Sequence, residues 1–175
     1  MTDAAPVQIA SDEFRAVMSR FATGVVVVTC VQAGFDHAMT ANSFTSVSLD
    51  PPLVLVCVEN DSRFHEAITE VGTWSVSVLD ENQRGRARWF ATRGRPLVGQ
   101  FDSTSTTRSA LTGALSLDGA LATLECRTTA IHPAGDHDIV VGEVLGLRMV
   151  RPDGEPLLYF RSGFRTLGEA TTAEG

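Results

Sequence analysis

The sequence predicts a mainly β fold: an antiparallel barrel, closed or nearly closed, of about seven strands with two or three peripheral helices. Three observations predict it. Apolar runs rich in β-branched residues, such as Val25–Val31 and Leu53–Glu59, recur along the 175 residues. Gly- and Pro-containing turns separate several of them at hairpin distances. Helical periodicity occurs in isolated stretches that do not alternate with strands, which argues against a doubly wound parallel sheet.

Residues 1–10 are small and polar and read as a flexible arm; the domain is expected over 11–168, with a flexible tail over 169–175. Asp12–Ala22 carries Phe14, Val17, Met18 and Phe21 at three- and four-residue spacing, so it reads as an amphipathic helix capped by Ser11 or Asp12 and ended by Gly24. Val25–Val31 is a buried strand, Gln32–Asp36 a hairpin turn around Gly34, and Met39–Ser43 the partner strand. Pro51 and Pro52 interrupt the ladder before the strand Leu53–Glu59. Ser62 is positioned to cap a helix over Ser62–Val71 that turns Phe64, Ala67, Ile68 and Val71 inward.

Trp74–Leu79 alternates apolar and polar residues, the pattern of a half-buried strand. Asn82–Ala91 suits a short helix ending in Trp89 and Phe90, and Thr92–Arg108 a long loop of the kind that commonly carries function. Strands are expected at Leu111–Leu115, Ala120–Ala130, Ile139–Val150 and Leu157–Phe160, with turns at Pro133–Asp138 and Pro152–Pro156.

Composition narrows the function classes. A net charge of -7 offers no broad basic footprint for nucleic acid, although a local arginine cluster can still hold an anion. Cys30, Cys57 and Cys126 each lie in an apolar run without C-x-x-C or metal-ligand spacing, which reads as buried free thiols in a reducing cytoplasm. His37, His65, His132 and His137 show no zinc-site spacing, and the nucleophile-elbow, dinucleotide-fingerprint and Walker motifs are missing. No metal is expected, and no membrane contact, since the apolar runs are too short to span a bilayer.

The most informative stretch is His37–Pro52. It places Thr40, Asn42, Ser43, Thr45, Ser46 and Ser48 among Met39, Phe44, Val47 and Leu49. A core strand would leave those polar groups in need of partners, and a plain loop has no use for the apolar ones. The pattern suits a half-buried rim for a flat polar ligand; a solvated edge strand with a turn is the alternative. The second cluster is Gly135–Ile139, where His137 stands between Asp136 and Asp138 at the entry to a strand. Those acids can set its tautomer or raise its pKa at a pocket mouth; a surface turn with an incidental histidine is the alternative.

In order and spacing, Ala22–Thr29, Thr40–Pro52, Gly135–Val144 and Pro156–Tyr159 together resemble the flavin reductase-like domain family over residues 12 to 168. The closer likeness is to the short-chain NAD(P)H:flavin reductases of two-component monooxygenases. The resemblance implies a split β-barrel of the Greek-key, FMN-binding type, usually a homodimer. It also implies hydride transfer from NADH, or NADPH, to FMN or FAD, and delivery of the reduced flavin to a partner monooxygenase. By the same resemblance Met39, Thr40, Ala41 and Asn42 lie along the flavin ring. Ser46, Val47 and Ser48 then approach the ring and ribityl chain, Asn60, Ser62 and Arg63 face the phosphate end, and Phe90–Ala91 form the aromatic–small pair before the phosphate-side loop. His137 matches the position associated with the nicotinamide. Where the family often has a basic residue before a phenylalanine, this chain has Gln100–Phe101, with Arg93 or Arg95 as substitutes. Two further readings are a flavoprotein with tightly bound FMN that reduces another acceptor, and a non-catalytic flavin- or haem-binding module.

Overall fold

The computed structural model describes residues 9–168, so most of the expected arm and the whole expected tail lie outside the described residues. The elements run α1 (Ser11–Met18), β1 (Thr23–Gly24), β2 (Val26–Gln32), β3 (Phe35–Ala41), β4 (Thr45–Leu49), β5 (Pro52–Glu59), α2 (Arg63–Val71), β6 (Thr73–Val78), a 3-10 turn at Glu81–Gln83, α3 (Arg84–Ala91), β7 (Thr106–Arg108), β8 (Leu115–Leu117), β9 (Ala122–Ala134), β10 (His137–Met149), β11 (Leu158–Phe160) and β12 (Gly163–Arg165).

Seven strands form one antiparallel sheet in the order β3-β2-β6-β9-β10-β5-β4. Its two edge strands, β3 and β4, are consecutive in the chain, joined only by Asn42–Phe44. A flat sheet of this order would set its edges roughly 28 Å apart, whereas the link from Ala41 to Thr45 reaches at most about 14 Å. The sheet is therefore rolled until its edges approach, a barrel split between β3 and β4. Ser43 spans the split: its hydroxyl donates to the Cys57 carbonyl (3.1 Å) and accepts from the Cys57 N–H (3.2 Å). Register shifts between Val141 and Gly142, and between Val144 and Gly146, interrupt the long β9–β10 ladder where it bends around the barrel.

β2 is buried on both faces, which is why its first six residues read as an apolar run broken only by Thr29. Val26, Val28 and Cys30 enter the barrel interior with Val54, Val56 and Val58 of β5, Trp74 and Val76 of β6, and Phe64, Ala67 and Ile68 of α2. Val25 and Val27 join a second core outside the sheet with Leu79, Ala87 and Phe90 of the α3 region, Leu117 and Leu157. Tyr159 and Phe164 pack edge-to-face at 5.6 Å against this outer core, as part of a three-stranded sheet of β1, β11 and β12.

Several local expectations shift. β6 is not half-buried: Ser75 and Ser77 are as hidden as Val76. Ser77 Oγ accepts from Leu117 N–H (3.0 Å), Ser75 Oγ pairs with Thr112 Oγ1 (2.8 Å), and Thr29 Oγ1 donates to the Leu115 carbonyl (2.6 Å). The alternating hydroxyls fasten the 112–117 segment over the outer face, so polar here means bonded inside rather than solvated. For the same reason the strand expected at Leu111–Leu115 falls at β8 and the end of the expected 92–108 loop is β7; the two pair with each other. β12 was not foreseen. Pro52 opens β5 rather than blocking it, a place where a missing N–H costs no ladder bond. α1 begins at Ser11 after Ala10, without a side-chain cap, and ends at Met18, well before Gly24.

Candidate functional site

α2 and the β9–β10 hairpin frame a cleft at the open end of β3. Ser62 caps α2 as the sequence predicts: its Oγ accepts from His65 N–H at 3.1 Å. Gly72, with φ 69°, ends the helix in the left-handed conformation that a side chain disfavours. Opposite, β9 and β10 meet in the two-residue turn Gly135–Asp136, where Gly135 adopts φ 73° and His137 pairs with Ala134. Asn60 ties the two together, its N–H donating to the Asp136 carbonyl (3.0 Å) and its side-chain amide to the Gly135 carbonyl (3.4 Å).

The cleft has a volume of about 560 Å³, the size range of cofactor pockets. Of the residues the sequence singled out, Met39, Thr40, Ala41, Asn42, Ser62, Arg63, Phe90, Ala91 and His137 line it. Ser46, Val47, Ser48 and Asn60 do not. The first three belong to β4, on the far side of the split, where Ser46 and Val47 are exposed. Asn60 braces the hairpin instead of facing the cleft. Ser43, part of the polar rim, also lines it, as do His37, Cys57, Glu59 and Asp61, to which the sequence assigns no binding role. His37 is the first residue of the polar stretch, and nothing local in the sequence marks it as buried. Arg93 and Arg95, weighed only as substitutes for a missing basic residue, also line the cleft.

Hydrogen bonding divides the polar lining. Thr40 Oγ1 donates to the Ala87 carbonyl at 2.8 Å, and the hydroxyls of Ser43 and Ser62 are engaged as above. These side chains build the wall. What they leave for a ligand is the part of the outer β3 edge not already bonded by Arg95 at Ala38 and Gln100 at Asp36, together with Asn42 and the first N–H groups of α2.

The charges are asymmetric. Arg93 pairs with Glu59, but the three acceptors of Arg95 are uncharged: Gln100 Oε1 (3.0 Å), the Thr92 carbonyl (3.0 Å) and the Ala38 carbonyl. Arg63 donates to the Arg95 carbonyl at 3.2 Å. Burial, and then the nearby charge of Arg63, lower Arg95 to about 10. His37 is buried and its pKa is lowered, first by desolvation and then by Arg63, against the opposing pull of Asp36. Among the described residues, Arg63 and Arg95 thus face the cleft with no carboxylate bonded to either, an arrangement that favours an anion.

His137 Nδ1 lies 2.8 Å from Asp136 Oδ1, and this hydrogen bond holds the Asp136 carboxyl below its usual range. The bond fixes the ring and leaves Nε2 free. His65 Nε2 is 2.8 Å from Asp138 Oδ2, so α2 is also pinned to β10 beside the cleft. Among the described residues no cluster of His, Cys, Asp and Glu is arranged to hold a metal, and no helix is long and apolar enough to cross a membrane. The three cysteines are free thiols; burial pushes Cys30 and Cys126 up to about 12.

Comparisons with known proteins converge on this architecture. The NADH-dependent FAD reductase of Streptomyces globisporus is 46% identical over 134 residues, covering 76% of this chain and 73% of the relative. The reductase component of the 4-hydroxyphenylacetate 3-monooxygenase of Thermus thermophilus is 36% identical over 156 residues, covering 89% and 96%. Among solved structures, an NADH:FAD oxidoreductase of Streptomyces globisporus C-1027 in complex with NAD and FAD fragments superposes with a TM-score of 0.86 at 40% identity, over 91% of this chain and 94% of that one. BorF, the flavin reductase component of a bacterial two-component tryptophan halogenase, gives a TM-score of 0.85 at 47% identity, over 91% and 99%. The profile of the family described as "Flavin reductase like domain" matches residues 18–168, nearly the whole described chain, and the protein belongs to that family.

Proposed function

We propose that this chain is an NADH-dependent flavin reductase that supplies reduced flavin, as FMN or FAD, to a flavin-dependent partner enzyme, a monooxygenase in the first instance. The observation that carries the reading is the convergence, in one cleft, of a partly free strand edge, two arginines bonded to no carboxylate among the described residues, and a tethered histidine. Flavin supplies the hydride-accepting ring when bound, so the protein needs no nucleophile or metal of its own.

The residues suit such a ligand. Met39 and Ala41 offer small or flexible apolar contact to a flat ring, and the β3 edge offers backbone donors and acceptors. Asn42 adds an amide able to face both. Arg63 and the N-terminus of α2 provide charge and N–H groups for a phosphoryl group. His137, with Nδ1 held by Asp136, presents Nε2 to the nicotinamide and orients it; it acts on geometry rather than as a nucleophile. Residues 91–94 on one side of the cleft are exposed, so a ligand can enter and leave without disturbing a strand. This supports flavin as an exchanging substrate rather than a permanently held group.

The same reading places the protein in the cytoplasm as a homodimer. The three free thiols fit a reducing compartment. α1 has no buried residue, and Phe14, Val17, Met18 and Phe21 remain exposed, an apolar face available to a second copy. Sedimentation of the purified protein tests the dimer, which a monomer at micromolar concentration would refute.

The decisive experiment is a steady-state matrix of NADH and NADPH against FMN, FAD and riboflavin. NADH oxidation that rises with added free flavin is the expected result. Turnover that ignores added flavin would instead make the protein a flavoprotein with a tightly held cofactor, and no oxidation in any combination would leave a binding module.

A further inference from the structure

Gln100 is among the most hidden polar residues of the molecule, 2% exposed, and it lies outside the cleft. Its surroundings dictate its orientation. The amide nitrogen donates to the Asp36 carbonyl at 2.6 Å and to the Leu97 carbonyl at 3.2 Å. The amide oxygen accepts from Arg95 Nε at 3.0 Å. Two carbonyls on one side and a guanidinium on the other admit only one arrangement of the amide. Its backbone carbonyl in turn accepts from Trp89 Nε1 at 2.8 Å, anchoring the segment to α3.

Arg95 is consequently held on three edges, by Gln100, Thr92 and Ala38, and lies over the Phe90 ring at 5.6 Å. A guanidinium has five N–H groups, so two remain for a ligand. The neighbouring cation, Arg63, bonds to the Arg95 backbone, and burial and Arg63 both disfavour the charge of Arg95. A pair of guanidinium groups held together on carbonyls and an amide, with no carboxylate bonded to them among the described residues, gains most from a ligand that brings negative charge.

We propose that Gln100 is a positioning residue that aims Arg95 at a phosphoryl group of the bound nucleotide, and so sets the preference for phosphorylated over unphosphorylated ligand. The inference rests on the flavin-reductase reading above. The phosphoryl group belongs to either the flavin or the nicotinamide dinucleotide, and both present the same chemistry to Arg95. Gln100 touches neither; it acts through the guanidinium.

The test measures binding of FMN and riboflavin by fluorescence titration, and the KM for NADH with riboflavin as acceptor, in the full-length protein. The variants are Arg95→Met, Gln100→Leu, Gln100→Glu and the double variant Arg95→Met/Gln100→Leu. If the flavin supplies the phosphoryl group, Arg95→Met and Gln100→Leu each lower the FMN-to-riboflavin affinity ratio about tenfold, the scale of one charge-assisted hydrogen bond. If the dinucleotide supplies it, that ratio stays put and the KM for NADH rises about tenfold instead. The double variant is no worse than Arg95→Met, because Gln100 acts only through Arg95. Gln100→Glu keeps the side chain's size and its acceptor but sets a carboxylate against the guanidinium. It shifts the same quantity in the same direction, and so carries the test should Gln100→Leu fail to fold. Equal losses of FMN and riboflavin with no change in KM, or additive effects in the double variant, overturn the proposal. Wild-type protein that binds FMN but never oxidises NADH sinks the functional reading alone. Normal turnover with an unmoved ratio and KM in the variants sinks this inference alone.

Discussion

β3 and β4 are the two edges of one sheet and adjacent in sequence, and β4 is the richer in hydroxyls, yet of the two only β3 lines the cleft. The difference lies in what covers them. β3 sends Met39 and Ala41 toward the core that α2 closes and Ala38 toward the core of α3, and residues 92–95 cross its end. β4 bonds to β5 on one side and leaves Ser46, Val47 and Leu49 exposed. The run of hydroxyls in β4 marks only a strand without a neighbour on one side. An edge strand becomes a cleft wall only where a second wall stands opposite.

Removing the cover from β3 is the strongest way to break this contrast. Phe90, 1% exposed, packs α3 against the outer core beneath β3. Phe90→Ala costs about 3–5 kcal/mol in denaturant unfolding, by lost burial and the cavity left behind. Leu49→Ala at the 94% exposed end of β4 stays within about 0.5 kcal/mol. Similar costs at the two sites would mean that the helices do not hold the edge.

The opposing wall is tested next. His137→Ala raises the KM for NADH about tenfold while moving flavin affinity by less than about threefold, the loss of one oriented hydrogen bond. A parallel loss of both would show that the hairpin, rather than the imidazole, had been damaged.

A smaller effect separates the two strands directly. Thr40→Val removes the bond to the Ala87 carbonyl and lowers stability by about 1 kcal/mol. Ser46→Ala and Ser48→Ala change flavin affinity by less than about twofold, as isothermal titration would measure. A clear loss of affinity at the β4 serines would bring β4 into a binding site, its own or that of a second copy, and end the contrast.

The smallest expected effect is on acid sensitivity. His37 has a pKa lowered below its unfolded value, so the unfolded chain binds the proton first. That contribution is fully present at neutral pH and is lost as pH falls through about 6.5 toward the lowered folded value. His37→Gln flattens this part of the urea-midpoint profile between pH 7.5 and 5. β4 has no titratable side chain to do the same. An unchanged slope would show that His37 is not the group responsible.

The site was legible in the sequence wherever the cause was local. Ser62 announces the start of α2 because an N-cap needs only the residue and the N–H groups that follow. Gly135 and His137 mark a hairpin because a two-residue turn requires a residue free to take positive φ. Arg95 was barely legible. It stands in a Gly- and Arg-containing loop, and its importance comes from Gln100, Ala38 and Phe90, which the fold gathers around it. α1 and α2 show the same limit from the other side. Both have an apolar stripe, but α2 buries Phe64, Ala67 and Ile68 whereas α1 buries nothing.

By itself the sequence determined the mainly β class, the positions of α2 and α3, the turn at Gly135, the family, and the polar stretch that contains one wall of the cleft. These follow from periodicity, capping and backbone freedom, which act over a few residues. Only the tertiary structure decided that β3 rather than β4 lines the cleft, that the serines of β6 are buried, and that Arg63 and Arg95 share one cleft. Each of these depends on which distant surface comes to lie against a residue, and that is settled when the sheet rolls up and its helices close over it.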